Sequence, residues 1–189
     1  VTHHWGANWN KGFDIYQKLD RLLNDSYWNN RIEFSYIGNL PKNFEFKNST
    51  HIPPLSGIKL ASKLKENHLY ITASKNEPSG NHHIEAAQCS LPILFINSGG
   101  IPEYCNDYGL IFEENNFEDK LNEIYENYEI YYNKILNYPF NARKMCSEYL
   151  TLFNELNKRK NQILETRNIK NLKTTNQYLF RIKNLKINK

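Results

Sequence analysis

The run PILFIN at 92–97 is only six residues long and apolar at nearly every position. A strand with one face in water alternates apolar and polar side chains, whereas one that is apolar throughout is covered on both faces, as in a parallel sheet with helices on either side. That run has companions. LYITAS at 69–74, RIEFSYIG at 31–38 ending on Gly38, the opening VTHHW and GLIF at 109–112 also read as short strands. Between them Phe13, Tyr16, Leu19, Leu22 and Leu23 recur at helical spacing, LASKLKENH at 60–68 repeats the pattern, and a further helix runs from about Asn81 to Ser90. Strand and helix in alternation predict βαβ units and an α/β fold built on a doubly wound parallel sheet. Residues 117–160 turn helical, with a break at Tyr138-Pro139, and predict two closing C-terminal helices. The segment from Gly38 to Leu60, with HIPPL at 51–55, reads as a proline-containing connection.

The 189 residues suit one domain with an appendage. No apolar run approaches the ~20 residues of a membrane-spanning helix, and the start has neither a basic nor an apolar leader region. A cytoplasmic protein is expected. Three cysteines without C-x-x-C spacing argue against a disulfide framework and a thiolate zinc site. The pairs His3-His4 and His82-His83 have no carboxylate at a metalloprotease-like spacing, so no metal is expected. Charge is uneven: residues 158–189 carry +9 of a chain total of +4, leaving −5 on residues 1–157. This predicts a body at 1–157 and a basic tail at 158–189, where Tyr178, Leu179, Ile182 and Leu185 share one helical stripe. A solvated end is the first reading of the tail, and contact with anionic lipid at a membrane periphery the second. Nucleic acid comes last, since the body is acidic and has no recognition motif. The chain starts inside a strand already under way, as a piece of something longer would.

Chemistry concentrates in EPSGNHHIE, Glu77 to Glu85. In a doubly wound sheet, ligands bind beyond the carboxyl ends of the strands. The Pro78-Ser79-Gly80 turn lets backbone approach a ligand, and the N–H groups of Asn81 and His82 open a helix whose dipole favours an anion such as phosphate. Glu77 and Glu85 would flank that anion and accept hydrogen bonds from hydroxyls, as a sugar nucleotide offers at both ends. The plain alternative is a loop acid and a solvated helix acid, and spacing alone favours it.

The continuation EAAQCSLPILFINSGGIPEYCNDYGLIF shifts that balance. From Glu77 to Phe112 the chain resembles the C-terminal domain of the retaining, GT-B-fold glycosyltransferases called group 1, or glycosyltransferase family four. That family has a Glu, seven residues, Glu motif, here Glu77 and Glu85. A G-x-P-(I/V) strand follows, here SLPIL with Ser90 in place of the common Gly, and then a G-G-x-x-E turn, here Gly99 to Glu103. Lys11-Gly12 after the first strand resembles the family's phosphate-contacting lysine, and the likeness covers about residues 1–157 in order and spacing.

The resemblance implies a Rossmann-like half of a GT-B enzyme that binds a nucleoside-diphosphate sugar and transfers the sugar with retention. It implies catalytic roles for Lys11 and Glu77, with Glu77 near the donor sugar and Glu85 on the ribose. Ser79, Gly80, Asn81 and His82 would line sugar and diphosphate, Gly99 and Gly100 a second ligand-facing loop, and Ile52 and Pro53 the base. Where the family often has a Gly-Arg pair before the lysine, this chain has THHWGANWNKG, and His4 would take part of that duty. No cofactor or metal is implied, because Lys11 and the helix N-terminus supply the positive charge that the departing diphosphate needs. The acceptor, a carbohydrate or a lipid-linked one, would be held by an N-terminal domain outside this chain, so weak turnover by this domain alone is expected. A nucleotide-sugar epimerase and a non-catalytic docking module are the alternatives.

Overall fold

A computed structural model describes residues 1–167, and the chain divides into two compact units, Val1–Asn141 and Ala142–Lys189. The first unit begins with β1 (Thr2–His4), α1 (Phe13–Leu22), α2 (Ser26–Asn29), β2 (Ser35–Gly38), β3 (Thr50–Ile52) and α3 (Gly57–Lys65). It continues through β4 (Tyr70–Thr72), α4 (His82–Gln88), β5 (Ile93–Ile96), α5 (Ile101–Cys105), β6 (Gly109–Phe112), α6 (Phe117–Glu126) and α7 (Tyr128–Ile135). Every strand pairing among these is parallel.

The strands form two three-stranded sheets, β1-β2-β3 and β4-β5-β6. They meet edge to edge: the Val1 nitrogen donates to Leu69 O at 2.8 Å and the Ile71 N–H to Val1 O at 2.9 Å. Across both, the strand order is β3-β2-β1-β4-β5-β6. It reverses between β1 and β4, which is where an open α/β sheet opens its ligand crevice.

Strand alternation sends side chains to both sides, and both sides of β4 and β5 are buried. Ile71, Leu94 and Ile96 pack with Phe13, Tyr16 and Leu19 of α1 and with Phe117 and Leu121 of α6. Tyr70, Ile93 and Phe95 pack with Leu60 and Leu64 of α3, Ala86 and Ala87 of α4, Ile101 of α5 and Ile135 of α7. Full burial of each leucine, isoleucine or phenylalanine among them contributes roughly 1.5–3 kcal/mol. The expected doubly wound, Rossmann-like α/β fold is the fold observed.

Three local expectations need correction. Thr50–Ile52, expected in a connection, is β3 and pairs with Ser35–Ile37 of β2. As an edge strand it is exposed at two of its three positions, so it needs no apolar run. The helical stretch after 117 breaks at Asn127 as well as at Tyr138-Pro139, giving α6 and α7 in the first unit where one helix was expected. The GGIPE turn opens α5, whose first turn contains Pro102, a position where the missing N–H is no loss.

In the second unit α8 (Ala142–Lys158) and α9 (Lys160–Thr166) follow. The stripe Tyr178, Leu179, Ile182 and Leu185 and most of the basic tail lie outside the described residues. Among the described residues no helix is long and apolar enough to cross a membrane.

Candidate functional site

The carboxyl ends of β1 and β4 stand side by side, and the connections leaving them carry Lys11, Glu77, Ser79, Gly80 and Asn81, five of the residues expected to bind a ligand. After His4 the chain passes through a 3₁₀ turn, Trp9–Lys11, into α1. Gly12 starts that helix at φ 91°, and a Cβ there would lie 2.4 Å from Ala73 O. Only glycine lets α1 begin against the end of β4, and this sets Lys11 beside the loop that leaves β4.

From that loop Glu77 reaches Lys11, with Nζ and Oε2 2.5 Å apart and the side chains 23% and 16% exposed. A pair so far withdrawn from water is screened less than a surface pair. Gly99 and Gly100 brace the Glu77 backbone from behind. The Gly100 N–H donates to Glu77 O at 2.9 Å, and Gly99 lies at φ 62°, where a Cβ would come within 2.4 Å of the same oxygen. The second loop thus acts on Glu77 through its main chain.

Glu85, on α4, pairs with His3 of β1: His3 Nε2 lies 2.8 Å from Glu85 Oε2. That hydrogen bond, against the opposing effect of burial, holds the Glu85 carboxyl below its usual range. His3 was not among the expected site residues. Its partner lies 82 positions away, and nothing local in VTHHW marks it.

His4 is buried, with Nε2 2.8 Å from the Tyr16 hydroxyl. That hydroxyl accepts the Ala73 N–H at 3.1 Å, which leaves its own hydrogen for the imidazole. Burial, with His3 and Lys11 nearby, keeps the His4 pKa well below the usual value, so His4 is a neutral ring tying β1 to α1. His82 is buried too, with Nε2 2.9 Å from Thr72 Oγ1, and burial first, then the neighbouring His4 and His83 rings, lower its pKa. Its ring centroid lies 4.7 Å from that of His4.

Ser79 and Asn81 are exposed on the loop into α4, while Gly80 is buried; a Cβ on Gly80 would meet the His82 ring at 2.7 Å. Ile52 ends β3, half-buried against the core beside α3, and Pro53 beyond it is exposed. Lys75, also unforeseen, is bound by Asp14 at 2.7 Å and Glu114 at 2.5 Å, which raise its pKa. A cleft of about 560 Å³ opens beside it, lined by Asn76, Asn97, Ser98 and Glu113 among others. Another of about 640 Å³ lies at the opposite, amino ends of the strands, where Val1, Phe34 and Leu69 line it and none of the expected site residues does. Among the described residues, no three His, Cys, Asp or Glu side chains gather as a metal site would require.

One ammonium and two carboxylates, Lys11, Glu77 and Glu85, thus stand at the point where strand order reverses. The known proteins this chain can be set against agree on the fold. The structure of TarM superposes with a TM-score of 0.57 at 17% identity, covering 80% of this chain and 34% of TarM. The present chain therefore spans about a third of TarM's length, and at that identity the likeness speaks for the fold alone. No curated protein matches. The family model described as glycosyl transferases group 1 matches residues 37–149, a stretch that contains Glu77, Glu85 and the Gly99–Glu103 turn. It covers more than half of the sequence, and on that ground the chain belongs to the group 1 glycosyl transferases.

Proposed function

We propose that this chain is the nucleotide-sugar-binding half of a retaining glycosyltransferase of family four. The observation that carries the reading is the Lys11–Glu77 pair at the reversal of strand order. Without ligand, each group satisfies the other. With a nucleoside-diphosphate sugar bound, the Lys11 ammonium turns to the diphosphate and stabilises the negative charge that grows as the sugar departs. Glu77 then accepts hydrogen bonds from donor-sugar hydroxyls, and Glu85 from the ribose. Lys75 is held by two carboxylates where Lys11 is held by one, and His4 is uncharged, so among the described residues Lys11 is the cation at this place that a diphosphate engages. The backbone at Ser79–His82 lines the phosphates, and Ile52 and Pro53 border the base. Neither glutamate is given the part of a nucleophile.

The acceptor, carbohydrate or lipid-linked, is bound by another part of the complete enzyme. Calorimetry of this chain with UDP, GDP and ADP tests the donor site. One of them should bind, without added metal, and Glu85→Ala should weaken it. No binding at millimolar concentration, or full affinity in Glu85→Ala, would overturn the reading. Retention is checked separately, by the anomeric configuration of the product that the full-length enzyme releases.

A further inference from the structure

The Glu85 side chain is half exposed, yet its partner is nearly buried: exposures are 52% for Glu85 and 6% for His3. A carboxylate only accepts, so His3 Nε2 carries the hydrogen of the 2.8 Å bond. The other ring nitrogen, Nδ1, is buried without a hydrogen-bond partner. The ring itself is fixed, set edge-on to Tyr70 at 5.5 Å and to His82 at 6.3 Å. Tyr70 in turn accepts the His3 main-chain N–H at 3.2 Å. A rigid donor on β1 therefore holds a flexible carboxylate on α4, across the junction of the two sheets.

We propose that His3 is a positioning residue for the donor nucleotide. Its imidazole holds one oxygen of Glu85, so that the other is offered, already oriented, to the vicinal hydroxyls of the ribose. The inference rests on the reading of Glu85 as the ribose contact. A free glutamate side chain loses rotamer freedom when it binds, and one held in advance loses less. The same hold makes the site selective, because a pre-aimed acceptor discriminates between a nucleotide that carries the hydroxyl and one that lacks it.

The test compares His3→Leu, which removes the donor, with His3→Gln, which keeps an N–H at similar reach. Affinity for the best-bound of UDP, GDP and ADP, and for its 2′-deoxy form, is measured by calorimetry. The Glu85 carboxyl is titrated by carbon NMR in the ligand-free chain. His3→Leu should weaken the ribonucleotide about tenfold, narrow the ribo-to-deoxy ratio and raise the Glu85 pKa, and His3→Gln should restore most of each. In a Glu85→Ala background His3→Leu should have no further effect, and thermal melts confirm that the variants fold. Equal affinity in all three His3 forms, or an equal loss with Glu85 absent, overturns the proposal. If the unaltered chain binds none of the three nucleotides, the donor site falls and the ribose role with it. The carboxyl titration still decides, without ligand, whether His3 holds Glu85.

Discussion

Lys11 and Glu77 stand 66 residues apart in the chain and 2.5 Å apart in space, joined across the carboxyl ends of β1 and β4. In a site for a diphosphate this pair is a competitor of the ligand as well as a part of its cradle. Glu77→Gln removes the competing charge but keeps the shape. Calorimetry should find a nucleoside diphosphate bound as well as before or better, and the matching sugar nucleotide bound less tightly. Lys11→Met should weaken both by ~10–100-fold, the range of a lost charge-assisted hydrogen bond.

Gly99→Ala should be more damaging than Gly57→Ala, although both glycines have positive φ, 62° and 56°. At Gly57 nothing lies within 4 Å of a new Cβ, so only backbone strain remains, ~1 kcal/mol. At Gly99 the Cβ would also press on Glu77 O at 2.4 Å, and the loss should reach ~2–4 kcal/mol. Urea denaturation of the two variants gives the comparison. Nucleotide binding by Gly99→Ala should fall as well, because the displaced main chain carries Glu77.

Acid should destabilise the fold well before ordinary carboxylates titrate. Burial lowers the His83 pKa from 6.5 to about 4, and His4 and His82 are lowered too. An unfolded histidine therefore takes up protons that the folded one refuses. The stability so gained is complete above pH 6.5 and is lost as pH falls toward 4, on the order of 2–3 kcal/mol for His83 alone. Both ring nitrogens of His83 are buried without partners. His83→Leu should therefore raise stability at pH 7 by ~1 kcal/mol and flatten the acid slope, as read from urea midpoints at several pH values.

Asp20, buried on α1, anchors the loop that leads into β3. Its carboxylate accepts the main-chain N–H groups of Lys47 and Asn48 at 3.0 and 2.9 Å and the Ser49 hydroxyl at 2.6 Å. Burial pushes its pKa up, but the hydrogen bonds from Ser49, Lys47 and Asn48 outweigh it and the net shift is downward. Its contribution is thus present above the unfolded pKa and lost as pH falls through the folded one. Asp20→Ala should cost ~1–3 kcal/mol at pH 7, and hydrogen exchange should show the largest loss of protection across residues 47–52.

The fold class was legible because burial on both faces leaves a compositional mark. Runs such as PILFIN and LYITAS are apolar at most positions, and helical spacing between them points to the βαβ alternation. β3 left no such mark, since an edge strand buries little, and the break at Asn127 falls inside a pattern that reads as one helix. The glutamates and Lys11 were legible as a motif in order and spacing. What each of them touches was not. Lys11 with Glu77 and His3 with Glu85 are pairs 66 and 82 residues apart, brought together because strand order reverses between β1 and β4 and sets the two carboxyl ends side by side. Chain order and residue type thus name the candidates for a ligand site. Which of them meet depends on the parallel crossovers and on a glycine at position 12 that lets α1 start against Ala73, because contacts between residues this far apart form only when the sheet is assembled.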